Sequence, residues 1–218
     1  NFDLPYLPKP DNEIGRLVDH FETMASRVQL NTRDLERQVE HRTEELHRLA
    51  RIDALTGLRN RRGLDETLEA EIQRARRDMQ NFGLLWLDID HFKAINDQSG
   101  HQVGDEILCR VALWLKANVR PYDHPGRWGG DEFVVLLSPC DSLVLEQIAN
   151  RIRSAVEQES SRTGTPVTVS VGAYLCKPGE SSDNILRHTD RALYRAKEQG
   201  RNRVCISQPD DAPVLPEA

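Results

Sequence analysis

The chain has 218 residues, 38% of them hydrophobic and 29% charged, enough for one domain of ordinary size plus a polar extension. Its formal net charge of −6 argues against a broad nucleic-acid surface, which needs an electropositive face, so any nucleotide must be held by a few local cations. Cys109, Cys140, Cys176 and Cys205 lie far apart with no CxxC and no paired histidines, which argues against zinc and for a reduced, cytoplasmic setting, and no apolar run approaches the roughly 18 residues a membrane helix needs.

The chain starts at Asn1 without methionine and reads as a fragment of something longer, with residues 1–13 as a leading segment. Residues 14–52 are polar and almost free of helix breakers. Ile14, Leu17, Phe21, Met24, Val28 and Leu35 follow spacings of three and four, a seam with the period of a coiled coil. A strict heptad would next reach Arg42, but the apolar residues move to Val39, Leu46 and Leu49. That shift between Leu35 and Val39 is a stutter, which locally unwinds a supercoil. An amphipathic helix packed on its own domain is the alternative. The length and narrowness of the stripe favour a parallel dimer.

From Asp53 the pattern becomes that of a globular domain over 53–206. "DALTGLRNRRG" is a turn-rich junction, 62–79 a helix, and "FGLLWLDID" (82–90) a buried strand ending in acids. "HFKAINDQSG" is a short helix and turn, 101–120 a helix with Gly104 near its start, and the next strand runs into a Gly129–Gly130 hairpin tip. Asp131 and Glu132 fall on the first residues of the returning strand "EFVVLL". A helix over 142–158, a strand over 165–175, a helix over 184–199 and a closing segment "NRVCIS" complete the domain, and 207–218 read as a flexible tail. Alternating helices and strands with at least one antiparallel hairpin predict a mixed α/β sheet with helices on its faces.

Asp88 and Asp90 stand at i and i+2 after an uncharged strand, hence on one face. A strand running out into solvent would look the same, but the second acidic pair, Asp131 and Glu132, favours a site. If the two strands are neighbours, Asp88 and a hairpin acid offer hard oxygen ligands for Mg²⁺, which keeps waters and recruits substrate phosphates. Gly129 and Gly130, lacking Cβ atoms, let a phosphate or sugar approach the backbone. Lys93, Lys197 and Arg201 are the candidate cations, each alone also readable as a solvated surface charge. Asn96 and Asp105 can supply an amide and a carboxylate to a base, and a carboxylate accepts from guanine N1–H and N2–H₂ together. Turn and helix-cap duty is the plain alternative for both.

At this point the sequence resembles the GGDEF family of diguanylate cyclases over about residues 53–206. "GGDEF" at 129–133 is literal, and "DALTGLRNRR" (53–62), "DIDHFKAINDQSGHQVGDEIL" (88–108) and "RALYRAKEQGRNRV" (191–204) stand in the family's order and spacing. The resemblance implies a fold like that of class III nucleotide cyclases, a five-stranded mixed sheet wrapped by helices. It also implies condensation of two GTP into cyclic di-GMP with release of pyrophosphate, across a homodimer joined by the coiled coil. Asp88, the Ile89 carbonyl and Asp131 would bind Mg²⁺ (or Mn²⁺), with Glu132 adding a carboxylate. Asp131 would help deprotonate the attacking ribose hydroxyl, and Lys93 would stabilise charge during transfer. Lys197 and Arg201 would hold terminal phosphates, Asn96 and Asp105 would read guanine, and Gly129 and Gly130 would make room for the nucleotide. Asp105 favours GTP over ATP, since relatives making mixed cyclic GMP-AMP tend to lack an acid there.

Arg120 and Asp123, in "RPYD", begin nine residues before Gly129 and resemble the family's inhibitory RxxD site, where cyclic di-GMP binds. An arginine's planar fork suits guanine edges and phosphates. A helix-terminal arginine beside a turn aspartate is the plainer reading of a bare RxxD. Residues 11–28 resemble the second helix of a HAMP domain, which implies the cytoplasmic end of an inner-membrane sensor. Three rivals stand beside the cyclase: a catalytically silent GGDEF receptor for nucleotide or cyclic di-GMP, a mixed cyclic GMP-AMP synthase, and a pure dimerisation module. The last would not need Asp88, Lys93 and Asp131 at these spacings.

Overall fold

A computed structural model of the chain describes residues 16, 18, 20, 21, 23–30, 32, 33, 35–37, 51–162 and 164–207. They fall into two units, one within Asn1–Ala50 and one within Arg51–Ala218. In the first, the described residues are helical, and Thr32 Oγ1 donates to the Val28 carbonyl at 2.9 Å, one turn back. Phe21, Met24, Val28 and Leu35 are each 56 to 63% exposed on it. Ile14, Leu17, Val39, Leu46 and Leu49, and with them the seam shift and part of the HAMP-like stretch, lie outside the described residues. So do residues 1–13 and 208–218.

The second unit is organised by its most apolar strand. Phe82–Leu87 are all buried, and β1 (Phe82–Ile89) lies in the middle of a five-stranded sheet. The remaining strands are β2 (His124–Gly129), β3 (Glu132–Leu137), β4 (Val169–Cys176) and β5 (Val204–Ser207), in the order β2-β3-β1-β4-β5. β1 is antiparallel to both β3 and β4, β2 is antiparallel to β3, and β4 and β5 are parallel. The sheet is therefore mixed, as expected. β5 runs through Ser207, one residue into the segment read as tail.

The two-residue period of β1 and β3 sorts their side chains between two helical layers. Leu85, Leu87, Ile89, Phe133, Val135 and Leu137 pack with residues of α3 (His101–Ala117) and α4 (Ser142–Arg162). Phe82, Leu84, Trp86, Val134 and Leu136 pack with α1 (Arg61–Asp78) and α5 (Ser182–Glu198). Burying each such leucine or phenylalanine contributes about 1.5–3 kcal/mol. Asp88 and Glu132 continue the second register and so emerge on the α5 side. Gly172 in β4 brings that helix close: a Cβ there would overlap the Thr189 carbonyl and the Leu193 amide of α5.

Element boundaries move where side chains intervene. β1 stops at Ile89, because Asp90 and His91, the latter left-handed at φ 59°, turn the chain into α2 (Phe92–Ser99). β4 begins at Val169, four residues after the expected start, past Pro166, which has no amide hydrogen for a ladder.

Candidate active site

The hairpin joins β2 to β3 through Gly130 and Asp131. Gly130 is left-handed at φ 52°, as a tight turn requires, and the β2 ladder shifts register between Arg127 and Gly129. Asp131 thus occupies the turn, and only Glu132 begins the strand, a one-residue departure from expectation. The Asp131 carbonyl accepts from the Ile89 amide at 3.3 Å, and Glu132 is the cross-strand partner of Asp88. Four of the expected residues, Asp88, Ile89, Asp131 and Glu132, therefore meet where β1 ends and β3 begins.

Lys197 joins them from the last turn of α5, its Nζ 2.7 Å from Asp88 Oδ2. Burial pushes the Asp88 carboxyl up; Lys197 opposes this, and the charges of Asp131 and Asp90 reinforce it. Glu132 is also raised, by burial first and then by Asp88, with Lys197 opposing and Asp131 and Asp190 adding. Lys197 thus pairs with Asp88, and the charges of Asp131 and Glu132 bear on the same corner. A Cβ at Gly129 or Gly130 would meet no atom within 4 Å, so the tip beside the acids is open on its outer side.

Asp90 separates from Asp88. It is 4% exposed, and its carboxylate accepts from Thr168 Oγ1 at 2.6 Å, Ser170 Oγ at 2.7 Å and the Asn202 amide at 3.1 Å. The i, i+2 rule failed because the strand ends between the two acids. Lys93, in the first turn of α2, and Arg201, after α5, are exposed.

Asn96 and Asp105 lie on either side of the sharp α2–α3 junction at Gly100. The Asn96 side-chain carbonyl is buried without a hydrogen-bond partner and abuts Gly104, where any Cβ would overlap it. Gly104 therefore shapes the seat of Asn96, and Asp105 follows it, exposed, in the chain. Arg120 and Asp123 form a tight turn: Asp123 Oδ2 accepts from the Arg120 amide at 2.7 Å, and the Asp123 amide donates to the Arg120 carbonyl at 3.0 Å. Burial raises the Asp123 carboxyl against the pull of Arg120. The Arg120 guanidinium lies 5.8 Å from the Tyr122 ring centroid.

Sequence reasoning missed Arg127. Its guanidinium donates to the Gly130 carbonyl at 2.9 and 2.7 Å and pairs with Asp53 Oδ1 at 3.3 Å, tying the hairpin tip to the start of the domain. Asp53 also accepts from the Thr56 amide and hydroxyl. The Trp128 ring packs against Trp86 with centroids 5.1 Å apart and planes tilted by 56°, and the Arg61 guanidinium lies 4.8 Å from its centroid. The signal was present in "RWGGDEF": a cation and an aromatic placed directly before a glycine tip.

Among the described residues, no three His, Cys, Asp or Glu side chains are drawn around a single point. The donor chemistry nonetheless suits a hard divalent cation, since Asp88, Asp131 and Glu132 are all oxygen donors, and Mg²⁺ commonly takes one or two carboxylates and completes its shell with water and phosphate. A cation would offset the burial, and after it the neighbouring negative charge, that raise Asp88 and Glu132.

Residues 50–203 match the family described as diguanylate cyclase, GGDEF domain. The chain is 40% identical over 186 residues to the bifunctional diguanylate cyclase/cyclic di-GMP phosphodiesterase MucR of Pseudomonas aeruginosa, covering 83% of this chain and 27% of that protein. It is 37% identical to the diguanylate cyclase DgcM of Escherichia coli K12, covering 93% of this chain and 53% of that one. The chain thus spans about a quarter to a half of these relatives' length. Among solved structures, the coiled coil and GGDEF domain of DgcB from Caulobacter crescentus, in complex with c-di-GMP, superposes with a TM-score of 0.69 at 34% identity, covering 85% of this chain and all of that one. The active GGEEF domain of a diguanylate cyclase from Vibrio cholerae gives a TM-score of 0.65 at 34% identity, covering 69% of this chain and 98% of the other.

Proposed function

The chain belongs to the GGDEF-domain diguanylate cyclase family, and from that membership we propose that it condenses two GTP into cyclic di-GMP and pyrophosphate. The observation that carries this reading is the cross-strand pair Asp88 and Glu132 with Lys197 at 2.7 Å, set beside a glycine tip whose outer side is open. Phosphoryl transfer is almost wholly positioning and charge stabilisation, and this corner supplies both signs of charge at one end of a rigid sheet.

Bound by Asp88, the Ile89 carbonyl and Asp131, with Glu132 alongside, Mg²⁺ (or Mn²⁺) would supply Lewis-acid stabilisation of the phosphates. Asp131 takes the proton of the attacking ribose 3′-hydroxyl. Lys93 offsets charge on the phosphates during transfer, and Lys197 and Arg201 hold the terminal phosphates. Asn96, held against Gly104, and Asp105 read guanine and prefer it to adenine. Each domain offers one nucleotide site while the product holds two nucleotides, so two subunits face each other and each hydroxyl attacks the other's α-phosphate. The exposed stripe Phe21, Met24, Val28 and Leu35 supports pairing through the N-terminal helix, which raises the local concentration of paired domains.

Incubation of the purified chain with GTP and Mg²⁺, followed by chromatography and mass spectrometry, tests the reaction. Cyclic di-GMP from wild type, none from Asp131→Ala and none from ATP alone is the expected result. Absence of product from wild type, both intact and as residues 53–218 at high concentration, would leave a silent nucleotide receptor.

Arg120 and Asp123 form the inhibitory product site in this reading. Asp123 fixes the turn, and Arg120 addresses the product. Arg120→Ala is expected to lose sensitivity to added cyclic di-GMP while keeping turnover; unchanged sensitivity would remove the assignment. The HAMP-like stretch supports placing the full-length protein at the inner membrane with this part in the cytoplasm. Among the described residues no helix is long and apolar enough to cross a membrane. Fractionation of the full-length protein tests that placement, and recovery in the soluble fraction would refute it.

A further inference from the structure

The chain leaves α5 through a run of unusual backbone. Gly200 closes the helix, its amide donating to the Lys197 carbonyl at 3.4 Å and the Arg201 amide to the Ala196 carbonyl at 3.0 Å, the two bonds of a Schellman end. A helix stop needs one left-handed residue. Here three follow in succession: Gly200 at φ 110°, Arg201 at 62° and Asn202 at 45°. A left-handed non-glycine residue is disfavoured and persists only where its surroundings over-determine it.

Asn202 supplies that determination. Its amide donates at 3.1 Å to Oδ2 of buried Asp90, a carboxylate held also by the hydroxyls of Thr168, just before β4, and of Ser170 in β4. Its side chain donates to Glu157 Oε1 at 2.7 Å and accepts from Arg153 Nη1 at 2.9 Å, both on α4, while Arg153 also pairs with Glu157 Oε2 at 2.8 Å. A single residue is thus bonded to the residue that follows β1 and to a helix on the opposite face of the sheet. A simple turn does not require three separate side chains to secure it. The residue so constrained lies next to Arg201, and its anchor Asp90 stands two positions after Asp88 in the chain.

We propose that Asn202, anchored by Asp90 and Glu157, is a positioning residue that fixes the left-handed conformation of Arg201 and so aims its guanidinium at the β- and γ-phosphates of the bound nucleotide. This inference rests on reading Arg201 as a phosphate contact. It assigns Asp90, which sequence spacing grouped with Asp88, to the phosphate loop: the two acids at the end of β1 serve different parts of one site.

The test is calorimetric binding of 3′-deoxy-GTP, which lacks the attacking hydroxyl, and of GMP, which lacks the outer phosphates, in Mg²⁺. Arg201→Ala is expected to weaken 3′-deoxy-GTP binding roughly tenfold, the scale of one charge-assisted contact, with GMP binding unchanged. Asn202→Gly is the discriminating variant. Glycine adopts positive φ without cost and keeps the amide bond to Asp90, so a residue serving only the turn would be replaced harmlessly, whereas loss of the side-chain bonds to Glu157 and Arg153 frees Arg201. The expected outcome is the Arg201→Ala phenotype, with the double variant no weaker than either single one, since the two act as a unit. Glu157→Ala, at a partly exposed position on α4, keeps the test decisive if Asn202→Gly does not fold, and is expected to weaken 3′-deoxy-GTP severalfold without moving GMP. Wild-type affinity in both anchor variants, or additive losses in the double variant, would overturn the positioning role while leaving the cyclase reading standing. Failure of the wild type to bind 3′-deoxy-GTP would overturn both.

Discussion

Two sets of carboxylates lie around the ends of β1 and β2, and the fold treats them in opposite ways. Asp53 and Asp90 are fastened: one accepts from Thr56 and pairs with Arg127, the other accepts from Thr168, Ser170 and Asn202. Asp88 and Glu132 are crowded, facing each other across a strand pair with Asp131 alongside and Lys197 as the nearby cation. Fastened acids stabilise the fold by accepting hydrogen bonds that water would otherwise make. Crowded acids destabilise it, and such strain is retained where a ligand relieves it. The difference separates the acids that fasten distant segments to one another from the acids left crowded beside the hairpin.

The largest expected effects would break that division outright if they fell on the wrong side. Asp88→Asn should lower cyclic di-GMP formation by at least about 100-fold, because a ligand to the charge-stabilising cation is worth several kcal/mol in the transition state, while its melting temperature stays level or rises. Asp90→Ala should instead strand two hydroxyls and an amide in the interior and cost about 3 kcal/mol or more, which at this size lowers the melting temperature by roughly 6–12 °C. Thermal melts and product assays on both variants check the pair. A stable Asp90→Ala protein, or an active Asp88→Asn one, would end the distinction.

Arg127 gives the next effect in size. Truncating it leaves Asp53 partly buried without its cation and the Gly130 carbonyl without its two donors. Arg127→Ala is expected to cost about 1–3 kcal/mol, seen in urea unfolding, and to slow turnover through a loosened tip. Unchanged stability would mean that the brace is idle.

How much of this could be read from residues alone follows the same line. The buried strand at 82–89, the glycine turn and the charged ends of the helices are local patterns, and each appears within a residue or a few of its expected place. The meeting of Asp88 with Glu132 required only that β1 and β3 be neighbours. What stayed hidden depends on contacts between distant segments: Asp90 with Asn202 across 112 positions, Arg127 with Asp53 across 74. Spacing placed Asp90 with Asp88 because nothing in "DID" marks where a strand ends. The buried side-chain carbonyl of Asn96 against Gly104 was equally invisible, since a missing Cβ announces no partner.

The smallest effect is the sharpest test, because its sign differs between the two sets. Hydrogen bonds from Thr56 and the charge of Arg127 outweigh burial and hold the Asp53 carboxyl below its ordinary value of 3.8. Its stabilisation is present above that value and is lost as pH falls through the folded one. Glu132 moves the other way, raised above 4.5 by burial and then by Asp88. Folded protein keeps that proton to higher pH than unfolded chain does, so the contribution is full below 4.5 and is lost as pH rises through the folded value. Asp53→Asn should therefore flatten the acid side of a melting-temperature profile and lower the neutral plateau. Glu132→Gln should flatten the fall above pH 4.5 and lift the plateau by less than Arg127→Ala lowers it. Profiles recorded without divalent cation, then with Mg²⁺, separate the causes: added Mg²⁺ should close the gap between wild type and Glu132→Gln by neutralising the crowded acids, and should leave the Asp53→Asn difference where it was.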